Sequence, residues 1–296
     1  MSKAPPENPT PPSYLLEGRY LAEKLVARGD NTDVYSGTDT WSGELVAIRM
    51  LRPDRLAHAN AFLRMSERLF GTASPRLVRA LHIGEDRDGS AFLVTEMLLG
   101  RTVESLGRVR WEVAVEITRQ AAAAIAEMHL NGLHHGALEP STFFVAAQNA
   151  GGSRVKLLDL GTGERTATAE SDVRGLVSIL HRLLLGRAPV PGQPLGTTLR
   201  NHVAGVPPAL ETALSAWLGA DGEGVTAAGV VAELKAITDA ATGQFWSGQT
   251  APGGSTSGAL PRPSMIMVEA PESGEDDDDV QVEVGAEVEI DVDENE

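Results

Sequence analysis

His134-His135-Gly136-Ala137-Leu138-Glu139-Pro140-Ser141-Thr142-Phe143-Phe144-Val145 is the stretch whose reading settles the fold. It follows the clearest helical signal in the chain. Over residues 111–129, apolar side chains recur at three- and four-residue spacing, with Val113, Ile117, Ala121, Ala124, Ile125 and Met128 on or near one face. Asn131-Gly132 supplies the stop. Downstream, Val155-Lys156-Leu157-Leu158-Asp159-Leu160-Gly161 reads as a short strand running into a turn, and Asp before Leu-Gly suits a turn in its own right. Adjacent residues on a loop diverge, so His134 and His135 do not read as a metal pair. His135 is expected to be a structural histidine bonding backbone.

This order of elements, with His135, Leu138 and Pro140 in frame, resembles the catalytic loop of eukaryotic-type protein kinases, H-R-D-L-K-P-x-N, in the style of the bacterial Ser/Thr kinases. The resemblance implies an α+β, two-lobed kinase-like fold. It also implies roles that the residues here do not fill. Ala137 stands where the family has its proton-accepting Asp, Glu139 replaces the phosphate-neutralising Lys, and Thr142 replaces the metal-binding Asn. Asp159, in the place of the D-F-G Asp, is the one catalytic-type residue retained and the candidate metal ligand that the resemblance implies.

The same resemblance extends upstream. Residues 21–26, 34–37 and 45–49 read as strands, with Trp41-Ser42-Gly43-Glu44 as a hairpin turn. Of the glycine-rich loop G-x-G-x-x-G-x-V, only Gly29 and Val34 survive in Ala27-Arg28-Gly29-Asp30-Asn31-Thr32-Asp33-Val34. The plainer reading of these residues is an ordinary hairpin. Val46-Ala47-Ile48-Arg49 resembles V-A-I-K, with Arg49 for the Lys, and the swap is not conservative at a tuned site. Met65 falls where the family has the Glu that holds that Lys, so Arg49 is expected to lack a carboxylate partner from this helix. Thr95 aligns with the gatekeeper, and Glu96, Met97 and Leu98 with the hinge. Gly29, Val34, Ala47, Arg49, Thr95, Glu96 and Leu98 are thus the candidate nucleotide-binding set.

Ser171-Asp172-Val173, which resembles the start of the next large helix, begins only ten positions past Gly161. A long activation segment ending in A-P-E does not fit. Asp221-Gly222-Glu223-Gly224-Val225-Thr226-Ala227 likewise lacks the Arg that pairs with the A-P-E Glu. Residues 176–185, 208–218 and 227–240 give the remaining helices. Asp172 is expected to anchor backbone at the catalytic-type loop.

The resulting layout is a disordered leader over 1–13, a small β-rich N-lobe over 14–98, and a shortened, mostly helical C-lobe over 99–240. A flexible linker over 241–274 and an acidic tail over 275–296 follow. The formal charge of −16 belongs to that end: 14 acidic and no basic residues lie between Glu269 and Glu296, leaving about −2 for the rest. No basic patch points to nucleic acid. No apolar run reaches membrane-span length, and the absence of cysteine excludes disulfides and thiolate metal sites. The apolar residues of 264–268 and the alternating Val and Ile of 280–292 suit docking to a partner protein; the plainer reading is incidental composition and a solvated, unstructured tail.

The expectation is a cytoplasmic, catalytically impaired kinase-like domain, a pseudokinase serving as signalling scaffold or allosteric regulator. Its protein partners would meet the lobes and the acidic tail. The alternatives are a weak or unconventional Ser/Thr kinase and a nucleotide sensor without turnover. No cofactor is certain, ATP or ADP with magnesium being the candidates.

Overall fold

A computed structural model describes residues 14–86, 89–147, 153–161, 167–189, 199–218 and 224–247. The leader, nearly all of the linker and the acidic tail lie outside the described residues, as do 162–166 and 221–223. The architecture is two-lobed: a β-rich N-lobe and a mostly helical C-lobe.

The N-lobe sheet contains β1 (Tyr14–Leu16), β2 (Tyr20–Arg28), β3 (Thr32–Asp39), β4 (Leu45–Leu51), β5 (Ala80–Glu85) and β6 (Ala91–Glu96), in the order β1-β2-β3-β4-β6-β5 and antiparallel throughout. Side chains alternate between the faces of a strand. Val46, Ile48, Phe92 and Val94 therefore point one way, into a small cluster with Leu16, Tyr20 and Ala22. Their neighbours in sequence face the other way, where Leu51 and Leu93 join the main core beneath α1 (Ala59–Phe70). At the far edge, Arg19 and Asp39 form a 2.7 Å ion pair.

The C-lobe is built on α2 (Trp111–Leu130). Its Ala114, Ala121, Ala122 and Ala124 are all buried, and it packs against β9 (Ser153–Leu157), α3 (Ala169–Leu185) and α6 (Ala227–Ser247). Small side chains let these elements approach closely. Val113 is 45% exposed and lies off the buried face, which instead carries Trp111, Val115, Thr118 and Ala122 beside the expected residues. The short α4 (Leu199–His202) and α5 (Pro208–Leu218) complete the lobe.

Helix α3 begins earlier than its apolar run suggests. Thr168 Oγ1 accepts from Ser171 N and Ser171 Oγ accepts from Thr168 N, both at 3.1 Å, a reciprocal cap that fixes the start at Ala169. Gly186, at φ +75°, closes the other end in the left-handed conformation. Two further strands, β7 (Gly100–Thr102) and β8 (Phe143–Ala147), form with β9 a three-stranded sheet in the order β7-β8-β9, which the sequence alone does not predict. The lobes are stitched by main chain: Val78 N donates to Leu157 O at 2.9 Å, and Leu157 N to Arg76 O at 2.8 Å. Among the described residues, no helix is long and apolar enough to cross a membrane.

Candidate functional site

Strand register collects much of the candidate set on one sheet face. Val34 lies opposite Arg49, Ser36 opposite Ala47, and Ala47 opposite Thr95. Residues directly opposite share a face, and so do residues two apart. Val34, Ala47, Arg49 and Thr95 therefore share the face away from the small outer cluster. Gly29 sits in the β2–β3 turn, where its N–H donates to Thr32 O at 2.8 Å. That bond closes an ordinary hairpin.

Glu96 ends β6 with its groups committed. Its N–H donates to Arg79 O at 2.9 Å, and its carboxylate accepts from Arg79 N at 2.8 Å and pairs with Lys156 of β9. Leu98 is half-buried against the main core. Nothing in the local sequence marks Lys156 as a partner of Glu96; the pairing is set by the register of β9 across the lobe boundary.

The charged centre is Asp159. Its Oδ2 lies 3.6 Å from Arg49 Nη1. Its Oδ1 lies 2.9 Å from His135 Nε2 and accepts from Gly161 N at 2.9 Å. The other nitrogen of His135, Nδ1, faces Ala137 N at 3.3 Å, which places the ring proton on Nε2, toward Asp159. His135 thus bonds backbone through one nitrogen only. Met65 packs against the main core, so the cation of Arg49 is answered by the D-L-G-type turn and not from α1.

Burial on its own would raise the Asp159 carboxyl. The His135 hydrogen bond, the Arg49 charge and the Gly161 N–H outweigh it and hold the group well below the usual carboxylate range. A lowered carboxyl in the folded state contributes stability above the unfolded value of about 4, and that contribution is lost as pH falls from there. In urea unfolding at stepped pH, the wild type is expected to lose more stability below about pH 4 than Asp159→Asn does.

The loop itself hangs on Asp172 of α3. This side chain is fully buried; its Oδ2 accepts from His135 N at 2.9 Å and its Oδ1 from Gly136 N at 2.7 Å. Gly136, in the place of the family Arg, has φ +80°, and a Cβ there would lie 2.6 Å from Ala167 Cβ. Ala137 offers no proton acceptor. Thr142 is buried and its Oγ1 accepts from Glu139 N at 3.2 Å, which spends the hydroxyl on the turn.

Toward a magnesium ion the described residues of this site offer one carboxylate, already facing a guanidinium; water and phosphate oxygens would have to complete the octahedron. A cavity of about 1010 Å³ on the C-lobe, lined by residues including Arg108, Trp111, Val206 and Pro208, and a small one beside Leu77 and Leu160 share no lining residue with Arg49, Thr95 or Asp159.

Comparisons with known proteins agree with the architecture. The model of the lipopolysaccharide kinase (Kdo/WaaP) family matches residues 47–192. The serine/threonine-protein kinase pkn2 of Myxococcus xanthus is 31% identical over 157 residues, 51% of this chain and 19% of that protein. The serine/threonine-protein kinase PrkC of Bacillus subtilis is 25% identical over 223 residues, 64% of this chain and 34% of that protein. The chain therefore spans only 19% and 34% of the length of these two relatives. Among solved structures, the Mycobacterium tuberculosis PknI kinase domain superposes with a TM-score of 0.60 at 17% identity, covering 75% of this chain and 97% of that one. Lobes, strand order and these likenesses together establish that the chain has the eukaryotic-type Ser/Thr protein-kinase-like fold.

Proposed function

We propose that this domain is a catalytically impaired protein-kinase-like module that acts in signalling through binding, as a scaffold or allosteric regulator. The observation that carries the reading is the state of Asp159, held between Arg49 and His135 beside a loop whose proton acceptor is replaced by Ala137. Phosphoryl transfer depends on positioning and on charge neutralisation by metal ions, and in the described loop Ala137 and Thr142 supply neither the family's base nor its second metal ligand. Protein partners would dock on the lobes and on the acidic tail.

A second reading, nucleotide binding without turnover, is favoured by Arg49. It keeps a cation on the sheet face shared with Ala47 and Thr95, where it can meet phosphates without a metal. The test is thermal unfolding of the full chain with ATP or ADP, with and without magnesium, alongside a phosphate-transfer assay. Nucleotide at 100 times its dissociation constant stabilises by about 2.7 kcal/mol. The expected result is a shift independent of metal, lost in Arg49→Ala, and no transfer. Absence of any shift at millimolar nucleotide eliminates the nucleotide reading and leaves binding of partners, to be sought by pull-down. Metal-dependent transfer that disappears in Asp159→Ala would instead establish an active kinase and overturn the impairment.

A further inference from the structure

Beside the loop, three side chains from three segments converge. His129 comes from the last turn of α2, His134 from the loop and Asp172 from the first turn of α3. One ring nitrogen from each histidine and one carboxylate oxygen all lie within 4.8 Å of one another. His129 Nε2 is 2.9 Å from Asp172 Oδ2, and the two imidazole rings are 5.0 Å apart between centroids.

A hydrogen bond explains His129 and Asp172 but not His134. Its Nδ1 is buried and has no hydrogen-bond partner. Burying an imidazole nitrogen unpaired costs about 1–3 kcal/mol, and an aliphatic side chain would fill the same place without that cost. A buried polar atom of this kind calls for a ligand or an unseen partner.

We propose that His129, His134 and Asp172 bind a divalent transition-metal ion of the zinc class. Two imidazoles and a carboxylate are a donor set for such ions and a poor one for magnesium. Metal–ligand bonds of about 2.0–2.1 Å in a tetrahedron put ligand atoms about 3.3 Å apart. The 2.9 Å separation of His129 Nε2 and Asp172 Oδ2 needs only a slight opening to reach that value. The ion takes the place of the proton between them, which moves to His129 Nδ1 through solvent. Asp172 keeps its two loop amides, because each carboxylate oxygen has a second lone pair. His129, whose side chain is 14% exposed, borders solvent, from which a water would fill the fourth position. Bound there, the ion would tie α2, the loop and α3 together, and so set the rigidity of the backbone that carries His135 to Asp159. The site uses none of the nucleotide-cleft residues, so it stands or falls separately from the proposed function.

The test is a Co²⁺ titration of the full chain followed by visible absorption, with Zn²⁺ competition and Zn²⁺-dependent thermal unfolding. Four-coordinate Co²⁺ absorbs strongly, whereas six-coordinate Co²⁺ on tail carboxylates absorbs weakly. One equivalent of strongly absorbing Co²⁺, displaced by Zn²⁺ and unaffected by Mg²⁺, is expected. In His134→Leu and, as a second variant, His129→Gln, affinity should fall at least about ten-fold. His134→Leu should melt no lower than wild type in chelator. Absorption or a Zn²⁺ shift that survives both substitutions would assign the metal elsewhere. No saturable uptake by the wild type would reduce the cluster to a His129–Asp172 hydrogen bond.

Discussion

Asp172→Ala is expected to lower the unfolding free energy by about 3–5 kcal/mol, the size seen when one partner of a buried charged network is removed. The carboxylate has no exposure and accepts three bonds: from His135 N, Gly136 N and His129. Alanine leaves the buried His135 amide and the part-buried Gly136 amide without their acceptor, at up to about 1–3 kcal/mol each. Asp172→Asn retains one acceptor oxygen and should cost less, about 1–2 kcal/mol. Urea denaturation at neutral pH separates the cases, the midpoint moving while the slope stays constant. A loss under about 1 kcal/mol for alanine would mean that water or rearranged main chain satisfies the loop, and that α3 does not hold it. The consequence for the site is direct, since the amide that Asp172 holds belongs to the same residue whose ring meets Asp159.

Much of this arrangement was legible in the sequence, for identifiable reasons. The spacing of Ile117, Ala121, Ala124 and Ile125 marks α2, and Asn131-Gly132 marks its end, because a buried helical face and a helix stop are local properties. Asp172 as a loop anchor followed from the likeness of Ser171-Asp172-Val173 to the family helix. The three-stranded sheet was not legible: β7 has three residues, and β8 overlaps the loop reading at Phe143-Phe144-Val145, so neither shows enough alternation to stand out. Partner choice was equally hidden. That Arg49 meets Asp159, or Glu96 meets Lys156, is decided by register across strands and lobes and not by neighbours in the chain. The His129–His134–Asp172 cluster is the extreme case. Adjacent histidines do diverge, so the pair His134-His135 splits as expected, yet His134 turns to a histidine five residues upstream and a carboxylate from another helix.

Gly161→Ala is expected to cost about 3–5 kcal/mol, and Gly132→Ala only about 1 kcal/mol, although both glycines sit at nearly the same positive φ. Gly161 has φ +71° and Gly132 φ +69°. A side chain in this region of backbone space carries a penalty of about 1–2 kcal/mol at either place. The surroundings differ. A Cβ on Gly132 meets nothing within 4 Å, whereas one on Gly161 would lie 2.1 Å from His135 O and 2.8 Å from His135 C. Those atoms are main chain, so no rotamer change relieves the clash; the turn must move away from the loop. Movement stretches the 2.9 Å bond from Gly161 N to Asp159 and draws the carboxylate from His135. The pair of variants, compared by urea denaturation, subtracts the cost of conformation and leaves the cost of close approach. Equal losses would show that loop and turn separate freely. A larger loss at Gly161, with a weakened nucleotide-dependent shift, would show that the contact between them fixes the geometry of Asp159, whatever that carboxylate now serves.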